Sequence, residues 1–338
     1  MKALIATAIY PSPERPALGT FVKTQVDSLR SIGVDAEPFV LDGRNRKLMY
    51  ARAVPELRRR LRVGDVDVVH AHYSYVGVIA RCQLSAPLVV TYHGDDLLGT
   101  IGANGKTTLA SRGAMALGHA LARVTDAVIV QNETMKQRLR AHRHVYVLPH
   151  EVDLELFRPI ERTEARRLLG LDPERPYLLF AANPRIHVKR FPLAVAATEV
   201  LRERFPQVEL LTVFNEPQPR LPLYLSAADA LVFPSYQEGS PNVVKQAMAC
   251  NLPIVATDVG DVADVIGSTP GCYVERPEAG AFATRLAEIL AATARTQGRR
   301  AVEHFAPGIV AARLRDVYAE TITRRSGRAG RTTLVGES

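Results

Sequence analysis

The sequence predicts an α/β protein with two Rossmann-like, doubly wound domains that face a central cleft. Short apolar segments alternate with helical segments from Lys2 to about Pro149, and the same rhythm restarts after a loop through Phe157 and Pro159. Buried strands that alternate with amphipathic helices are typical of a parallel sheet covered on both faces. The chain of 338 residues is long enough for two domains, because one domain takes ~100–200 residues.

The first half contains six candidate strands separated by amphipathic or basic helices. Helical periodicity is clearest over residues 21–32 and 107–124. The strand segments are KALIATAIY, DAEPFVL, DVDVVHAH, APLVVTYHG, DAVIVQN and HVYVLPH. We therefore expect an N-terminal domain with a parallel sheet over residues 1–153.

The second half repeats the pattern with five candidate strands before a long helical segment at residues 279–292. The strand segments are PYLLFAAN, VELLTVFN, DALVFPS, LPIVATDVG and GCYVERP. We expect a C-terminal domain over residues 154–306 and a helix over residues 307–325, which is a candidate to pack back on the N-terminal domain. A basic, flexible tail is expected over residues 326–338.

Composition favours a globular protein of the reducing cytoplasm. Hydrophobic residues make up 47% and charged residues 23% of the chain, as is ordinary for globular proteins. The three cysteines, Cys82, Cys250 and Cys272, are far apart, so neither a disulfide framework nor a zinc site is predicted. The opening MKALIATAIYPSPERP is more typical of a buried strand than of a signal peptide, and no apolar run approaches the ~20 residues that span a bilayer.

The formal net charge of +8 comes partly from Arg58, Arg59, Arg60 and Arg62 and partly from residues 324–331. One interpretation is solvated surface with a disordered end. The other is a surface for anionic lipids or a polyanionic acceptor, peripheral at the inner face of a membrane. Nucleic acid is disfavoured as a partner, because Trp is absent and aromatic residues do not interleave with the basic ones.

Polar and glycine-containing loops follow the predicted strands. Gly19 follows the first strand, and residues 93–95 follow a later one. In the second half, residues 183–189, 235–242 and 259–261 also follow strands. Ligands of open α/β sheets bind beyond the carboxyl ends of the strands, so two facing domains should hold a small molecule between them.

Several segments in order resemble glycosyltransferase family four, which includes bacterial enzymes that build cell-surface polysaccharides and glycolipids. The most specific is SYQEGSPNVVKQAMACNLPIVATDVGDVADVIG, with DALVFPS just before it. The others are PALGTFVKTQ, DVVHAHYSYVG, VVTYHGDD, LPHEVDLELFRP and NPRIHVKRFPLA. The likeness covers nearly the whole chain, and ordered matches carry more weight than any single motif.

The resemblance implies a GT-B fold and a retaining, hexosyl-type transfer from a nucleoside-diphosphate sugar, with UDP or GDP as nucleotide. The N-terminal domain would face the acceptor, a hydroxyl-bearing glycan or lipid-linked molecule. No cofactor and no metal are implied, and Asp65 and Asp67 open a predicted strand at the end away from the cleft. Without an evident carboxylate nucleophile, we expect a dissociative reaction in which the leaving phosphate oxygen takes the acceptor proton.

Site residues follow from the same resemblance. Lys189, helped by Arg185 and Arg190, is expected to neutralise the leaving diphosphate, because negative charge builds there as the bond breaks. Glu238 is expected to hold hydroxyls of the donor sugar. The remaining donor-binding candidates open or line the next helix, whose N-terminal N–H groups favour anions: Gly239, Ser240, Pro241, Asn242 and Gln246.

In the N-terminal domain, Gly19 would let the backbone approach the donor closely. His93 occupies the position where the family places a histidine near the reacting sugar, although a histidine at a strand end is also often a packed, satisfied side chain. His70 and His72 are expected to support strand packing or the acceptor side.

The chain departs from the family at two places. The interdomain motif usually reads Pro-Asn-Gly-Val-Asp, whereas here His150 and Glu151 replace its Asn and Gly. If that backbone needs a positive φ, a glutamate costs ~1–2 kcal/mol, and its charge would repel a diphosphate. Gln246 replaces the second glutamate of the family's carboxylate pair. These changes leave open an alternative, a donor-binding protein with weak or lost activity.

Two further alternatives come from short patterns. His150, Glu151 and His187 are residue types that bind transition metals, although their spacing matches no compact site. The stretch GANGKTT at residues 102–108 is similar to a phosphate loop and would suggest an ATP-dependent ligase. However, Thr100 stands where the strict pattern has glycine, and the competing interpretation is an acceptor-side loop carrying Lys106.

Overall fold

The computed structural model describes residues 1–41, 46–102, 107–139 and 142–334, with side chains for all of these except residues 46–51, 110 and 328–334. This part of the chain contains two parallel sheets, one of six strands and one of five. The predicted α/β class with two doubly wound domains, the GT-B arrangement, is confirmed. Each of the eleven segments proposed as strands contains one.

The strands of the first sheet are β1 (Lys2–Thr7), β2 (Asp35–Val40), β3 (Val68–His72), β4 (Leu88–Thr91), β5 (Ala127–Val130) and β6 (Val145–Val147). The helices between and beside them are α1 (Thr20–Ser31), α2 (Arg46–Val63), α3 (Ser74–Arg81), α4 (Asp95–Leu98), α5 (Leu109–Val124) and α6 (Glu133–Arg138).

The second sheet consists of β7 (Tyr177–Phe180), β8 (Glu209–Thr212), β9 (Ala230–Phe233), β10 (Ile254–Ala256) and β11 (Cys272–Val274). The later helices are α7 (Arg162–Leu169), α8 (Phe191–Arg202), α9 (Leu221–Ala227), α10 (Asn242–Ala249), α11 (Val262–Ile266), α12 (Ala279–Ala292), α13 (Gly298–Ala301) and α14 (Pro307–Leu334). Short 3-10 turns occupy His187–Lys189, Gln218–Arg220 and Glu303–Phe305.

Strand order creates the place for a ligand. The first sheet runs β2-β1-β3-β4-β5-β6 and the second runs β11-β10-β9-β7-β8. Successive connections therefore go to opposite sides of β1 in one sheet and of β7 in the other. Loops that leave the carboxyl ends of neighbouring strands in opposite directions open a crevice between them. The crevices lie between β1 and β3 and between β7 and β9.

The inner strands are apolar because helices cover both faces of each sheet. Every residue of β3, β4, β5, β7 and β9 is buried. Two apolar layers flank the first sheet and two flank the second. This double coverage accounts for strands that are nearly continuous hydrophobic runs instead of alternating ones.

The long helix α14 returns to the first sheet. Its Leu314 and Tyr318 are fully buried in the same apolar layer as Val22 and Leu29 of α1. Further along, Arg325 forms an ion pair of 2.9 Å with Asp126. The helix continues to Leu334, so the segment proposed as a flexible tail begins inside it, and residues 335–338 lie outside the described part.

Among the helices of the described ranges, none has both the length and the apolar composition that crossing a membrane requires.

Candidate active site

A cleft of about 850 Å³ lies where the carboxyl ends of the two sheets face each other. From the first sheet it is lined by the loops after β1, β3, β4 and β6, and from the second by the loops after β7, β8 and β9. These loops border both crevices that the strand order creates. The fold therefore converges on one concave site between the sheets.

Most of the residues proposed for donor binding or catalysis lie in this cleft. Those that line it are His93, Lys189, Glu238, Ser240, Pro241, Asn242 and Gln246. Gly19 and Gly239 adjoin lining residues in the chain without lining the cleft themselves. Arg185 is exposed and outside the lining, and its backbone N–H donates to Oδ1 of Asn183.

Lys189 and Glu238 come together across two loops of the second sheet. Nζ of Lys189 donates to Oε1 of Glu238 at 2.7 Å, and both side chains are largely withdrawn from solvent. The lysine sits in the 3-10 turn after β7, and the glutamate follows β9. This pair places a cation and an acceptor of hydroxyl hydrogen bonds at one point of the cleft wall.

The amino end of α10 lies next to this pair. No side chain caps the helix, so its first N–H groups remain available to an anion. Nearby, the hydroxyl of Ser240 donates to Oδ2 of Asp261 at 2.5 Å, which anchors the loop before the helix. A cation and a helix amino terminus side by side form a suitable site for a phosphate group.

Glycines permit close contact between the domains beside the cleft. A Cβ atom on Gly239 would overlap the carbonyl of His93 in the first domain. Within the second domain, one on Gly260 would overlap the carbonyl of Gly239. Nδ2 of Asn132 donates to that Gly239 carbonyl at 2.5 Å. Gly239 therefore acts in backbone packing between the two domains, and no contact with a ligand is needed to explain it.

Three histidines form a continuous hydrogen-bonded set, called here the histidine row: His72, His93 and His150. Nδ1 of His72 lies 3.1 Å from Nε2 of His93, and Nδ1 of His93 lies 2.9 Å from Nε2 of His150. The Phe21 ring packs on His150 with centroids 4.5 Å apart. Both ring nitrogens of His93 are thus engaged, so its expected contact with a sugar stays a prediction.

Burial sets the charge state of the row. It lowers the pKa of His72 to about 3 and holds those of His93 and His150 well below their ordinary value. His70 lies outside the row, because its two ring nitrogens contact Tyr318 Oη and Thr91 Oγ1, each at 2.6 Å. His70 therefore packs the strand and helix α14 together.

Asp96 holds the loop that carries His93. Its Oδ1 accepts from the Ser74 backbone N–H at 2.8 Å and its Oδ2 from the His93 N–H at 3.1 Å. Burial raises the pKa of Asp96, and these backbone donors act in the opposite direction. The acid thereby ties the ends of β3 and β4 to each other.

The structure corrects two expectations about Glu151. Its φ is not among the positive values found for non-glycine residues in the described ranges, so the lost glycine causes no backbone strain. The side chain also turns away from the cleft: it is buried, and its Oε1 accepts from the Ser28 hydroxyl at 3.0 Å. Glu151 is therefore not placed to repel a bound diphosphate.

Sequence reasoning overlooked several lining residues. Tyr73 has a φ of 73°, which is strained for a residue with a Cβ, and its ring centroid lies 4.2 Å from that of His93. Arg15 and the loop of Phe214 and Glu216 also line the cleft. Arg15, Phe214 and Glu216 belong to none of the matched motifs, whereas Tyr73 lies within DVVHAHYSYVG, where the resemblance implies no role for it.

The structure describes the residues of the possible metal site but not most of the possible phosphate loop. His187 stacks on Tyr236, with centroids 5.2 Å apart, and does not join His150. Within the described ranges no group of three or more His, Cys, Asp or Glu side chains is arranged to hold a metal ion.

Lys106 and most of GANGKTT lie in residues 103–106, outside those ranges. Asp67, as expected, lies at the amino end of β3, where Oδ2 accepts from the Lys2 N–H at 2.7 Å.

Comparison with known families accounts for both halves of the cleft. Residues 10–156 match the family described as Glycosyltransferase Family 4, and residues 175–292 match Glycosyl transferases group 1. A D-inositol 3-phosphate glycosyltransferase of Pseudarthrobacter chlorophenolicus is 31% identical over 63% of this chain and 59% of its own length. The chain thus spans about three fifths of that relative.

Three other proteins extend the likeness. The putative teichuronic acid biosynthesis glycosyltransferase TuaC of Bacillus subtilis is 26% identical over 84% of this chain and 87% of its own length. Sucrose-phosphate synthase from Thermosynechococcus elongatus has a similar structure, with a TM-score of 0.79 and 20% identity over 96% and 100% of the two chains. Anabaena HepE in complex with UDP has a TM-score of 0.65 and 16% identity over 95% and 100%.

The two family matches follow one another along the chain and together include all the lining loops, and the solved structures share the two-sheet fold. This chain belongs to the family-four glycosyltransferases.

Proposed function

We propose that the chain transfers a hexosyl unit from a nucleoside-diphosphate sugar to a hydroxyl acceptor, with retention of configuration. The observation that carries the proposal is the Lys189–Glu238 pair beside the uncapped amino end of α10. A diphosphate would receive the cation and the helix N–H groups, and a sugar would receive the carboxylate. UDP and GDP are the candidate nucleotides, and UDP is the nucleotide bound in Anabaena HepE.

The proposed chemistry needs little more than charge stabilisation. The bond from the anomeric carbon to the diphosphate oxygen breaks, and the electron pair goes to that oxygen. That oxygen takes the proton of the acceptor hydroxyl, and the acceptor oxygen forms its bond to the anomeric carbon on the same face, while Lys189 and the start of α10 stabilise the developing charge. A path through a covalent intermediate would need a free carboxylate as nucleophile. The carboxylates among the cleft-lining residues are Glu238, which is paired with Lys189, and Glu216, which lies 3.4 Å from Arg220. Their pairing supports the path without a protein nucleophile.

The acceptor class comes from relatives. The names of two relatives mention an inositol phosphate and teichuronic acid. We infer a hydroxyl-bearing glycan or lipid-linked acceptor of cell-surface synthesis, used at the cytoplasmic face of the membrane.

The arginine cluster offers limited support for membrane binding. Arg58 donates to the carbonyl of Cys82, Arg59 pairs with Glu56, and Arg60 pairs with Glu37. Internal partners therefore take up most of this cluster. Sedimentation of the parent and of an Arg58/Arg62 charge-reversal variant with anionic vesicles measures how much the cluster still contributes to membrane binding. Equal sedimentation of the two proteins argues against this surface.

Two other functions are less well supported. A donor-binding protein without transfer activity rests now on Gln246 alone, because Glu151 lies outside the cleft lining. The ligase alternative conflicts with the family match over residues 10–156, which contains GANGKTT. ATP turnover without sugar transfer would restore it.

The test is a nucleotide screen followed by product analysis. UDP or GDP should raise the melting temperature without added metal, because a ligand that binds only the folded state adds stability. NMR of the product formed from the preferred UDP- or GDP-sugar and an acceptor extract should show the donor's anomeric configuration. Inversion contradicts the mechanism, and stabilisation by ATP alone contradicts the proposed donor.

A further inference from the structure

The end of the histidine row offers the cleft one ring nitrogen that the row does not use. His150 lines the cleft, and its Nε2 is turned to His93. Nδ1 is therefore the nitrogen left for a ligand. At the other end, Nε2 of His72 is buried without a hydrogen-bond partner in the part of the chain described.

Neutral rings allow only two arrangements of hydrogen in the row. Each imidazole then has one N–H and one lone pair, and each of the two N···N contacts needs exactly one hydrogen. If His93 carries its hydrogen on Nδ1, then His72 and His150 must also carry theirs on Nδ1. If His93 carries it on Nε2, the other two must do the same.

The unpartnered nitrogen of His72 distinguishes the two arrangements. With hydrogens on Nε2, His72 would bury an N–H that has no acceptor. With hydrogens on Nδ1, the same atom is a bare lone pair. Orphaned buried N–H groups are rare in proteins, and under-satisfied acceptors are less so. The row then runs from His72 as first donor through His93 to His150.

We propose that His150 contacts the ligand as a hydrogen-bond donor through Nδ1–H, with His72 and His93 as positioning residues that hold it in this tautomer. The partner is an oxygen lone pair, from a phosphate or a sugar hydroxyl. A metal ion or a proton to be abstracted does not fit, because Nδ1 has no free lone pair. The nature of the ligand rests on the proposed function, whereas the tautomer does not.

The surroundings hold His150 in place for this contact. Nζ of Lys245, fully buried, donates to the His150 carbonyl at 2.6 Å. The Phe21 ring packs against the imidazole, and the His93 ring lies nearly parallel to it, with centroids 4.9 Å apart. A donor fixed in this way loses little freedom when a ligand binds.

The decisive measurement is two-bond ¹H–¹⁵N correlation NMR of the full-length, ¹⁵N-histidine-labelled protein without ligand at pH 7. We expect the rings of His72, His93 and His150 to be in the Nδ1–H form, and His150→Phe should remove one of these three signals. The exposed His304 serves as control, and His304→Phe should remove none of the three. An Nε2–H or imidazolium form at His150 overturns the proposal, whatever the protein's activity.

Ligand titration then identifies the contact. UDP, GDP and glucose are added separately, and a shift at His150 with a nucleotide places the contact on the nucleotide, whereas a shift with glucose alone indicates a hydroxyl of the transferred sugar. Loss of one neutral hydrogen bond should weaken binding of that ligand about five- to tenfold in His150→Phe and leave His304→Phe unchanged. A nucleotide that raises the melting temperature while His150 responds to none of the three ligands overturns this contact and leaves the proposed function standing. Conversely, Nδ1–H rings without binding of any nucleotide support the tautomer and contradict the proposed function.

Discussion

The first-domain wall of the cleft holds neutral imidazoles that hydrogen-bond to one another, whereas the second-domain wall holds charged groups and a helix amino terminus. His93 and His150 belong to the first wall, and Lys189 and Glu238 to the second. Burial lowers the pKa of these imidazoles, so they offer hydrogen bonds without charge. Charge is concentrated on the wall where a leaving diphosphate would develop it.

The strongest test of this contrast removes the cation. Lys189→Ala should lower transfer about 30- to 1000-fold, because one lost charged contact to a transition state is worth ~2–4 kcal/mol. Arg185→Ala is the matched control, since Arg185 is exposed and outside the cleft lining. Steady-state kinetics on both variants make the comparison. Equal losses would mean that the basic loop acts through general charge and not through Lys189.

A second test disturbs the close contact between the two walls at Gly239. Gly239→Ala introduces a Cβ that overlaps the carbonyl of His93, so we expect a loss of ~1–3 kcal/mol in the free energy of unfolding, together with weaker nucleotide binding. Gly280→Ala in α12 is the control, because its Cβ would meet no atom within 4 Å. Urea unfolding measures the free energy of unfolding of both variants. An unchanged Gly239→Ala protein would show that the domains are not in close contact there in solution.

A third test concerns Glu151, buried behind the row. Burial raises its pKa from 4.5 to about 7. The folded state therefore binds this proton more tightly than the unfolded chain does. The stabilisation is complete below pH 4.5 and is lost as the pH rises towards 7.

Glu151→Gln keeps an acceptor for Ser28 and removes the titration. The free energy of unfolding of Glu151→Gln, relative to that of the parent, should rise by about 2 kcal/mol between pH 5 and pH 8. Glu155→Gln, at an exposed position nearby, should follow the parent at every pH. Parallel curves for parent and Glu151→Gln would place the Glu151 carboxyl in water.

The smallest effect is expected at Gln246, which lines the second wall. If it faces the donor's ribose, Gln246→Glu should tighten nucleotide binding by ~1 kcal/mol, because charged acceptors form stronger hydrogen bonds than neutral ones. Calorimetry with the preferred nucleotide is the measurement, and kcat should change less than affinity. Equal or weaker binding would mean that Gln246 does not face ribose.

The second wall was largely predictable, because its chemistry lies in local motifs. Lys189, Glu238 and Ser240 each follow a strand of the second sheet, and sequence order alone brings such loops to one edge of a parallel sheet. Arg185 has the same local context but lies outside the lining, since the turn His187–Lys189 carries only the lysine inward. Periodicity cannot distinguish two basic residues of one loop.

The sequence by itself determined the eleven strands, the parallel sheets and the strand ends that border the cleft. These features depend on hydrophobic periodicity and on loops a few residues long. Only the tertiary structure decided that His72, His93 and His150 form one row and that Glu151 turns inward to Ser28. Such contacts join residues far apart in sequence, and their partners are chosen by packing and burial that no local pattern encodes.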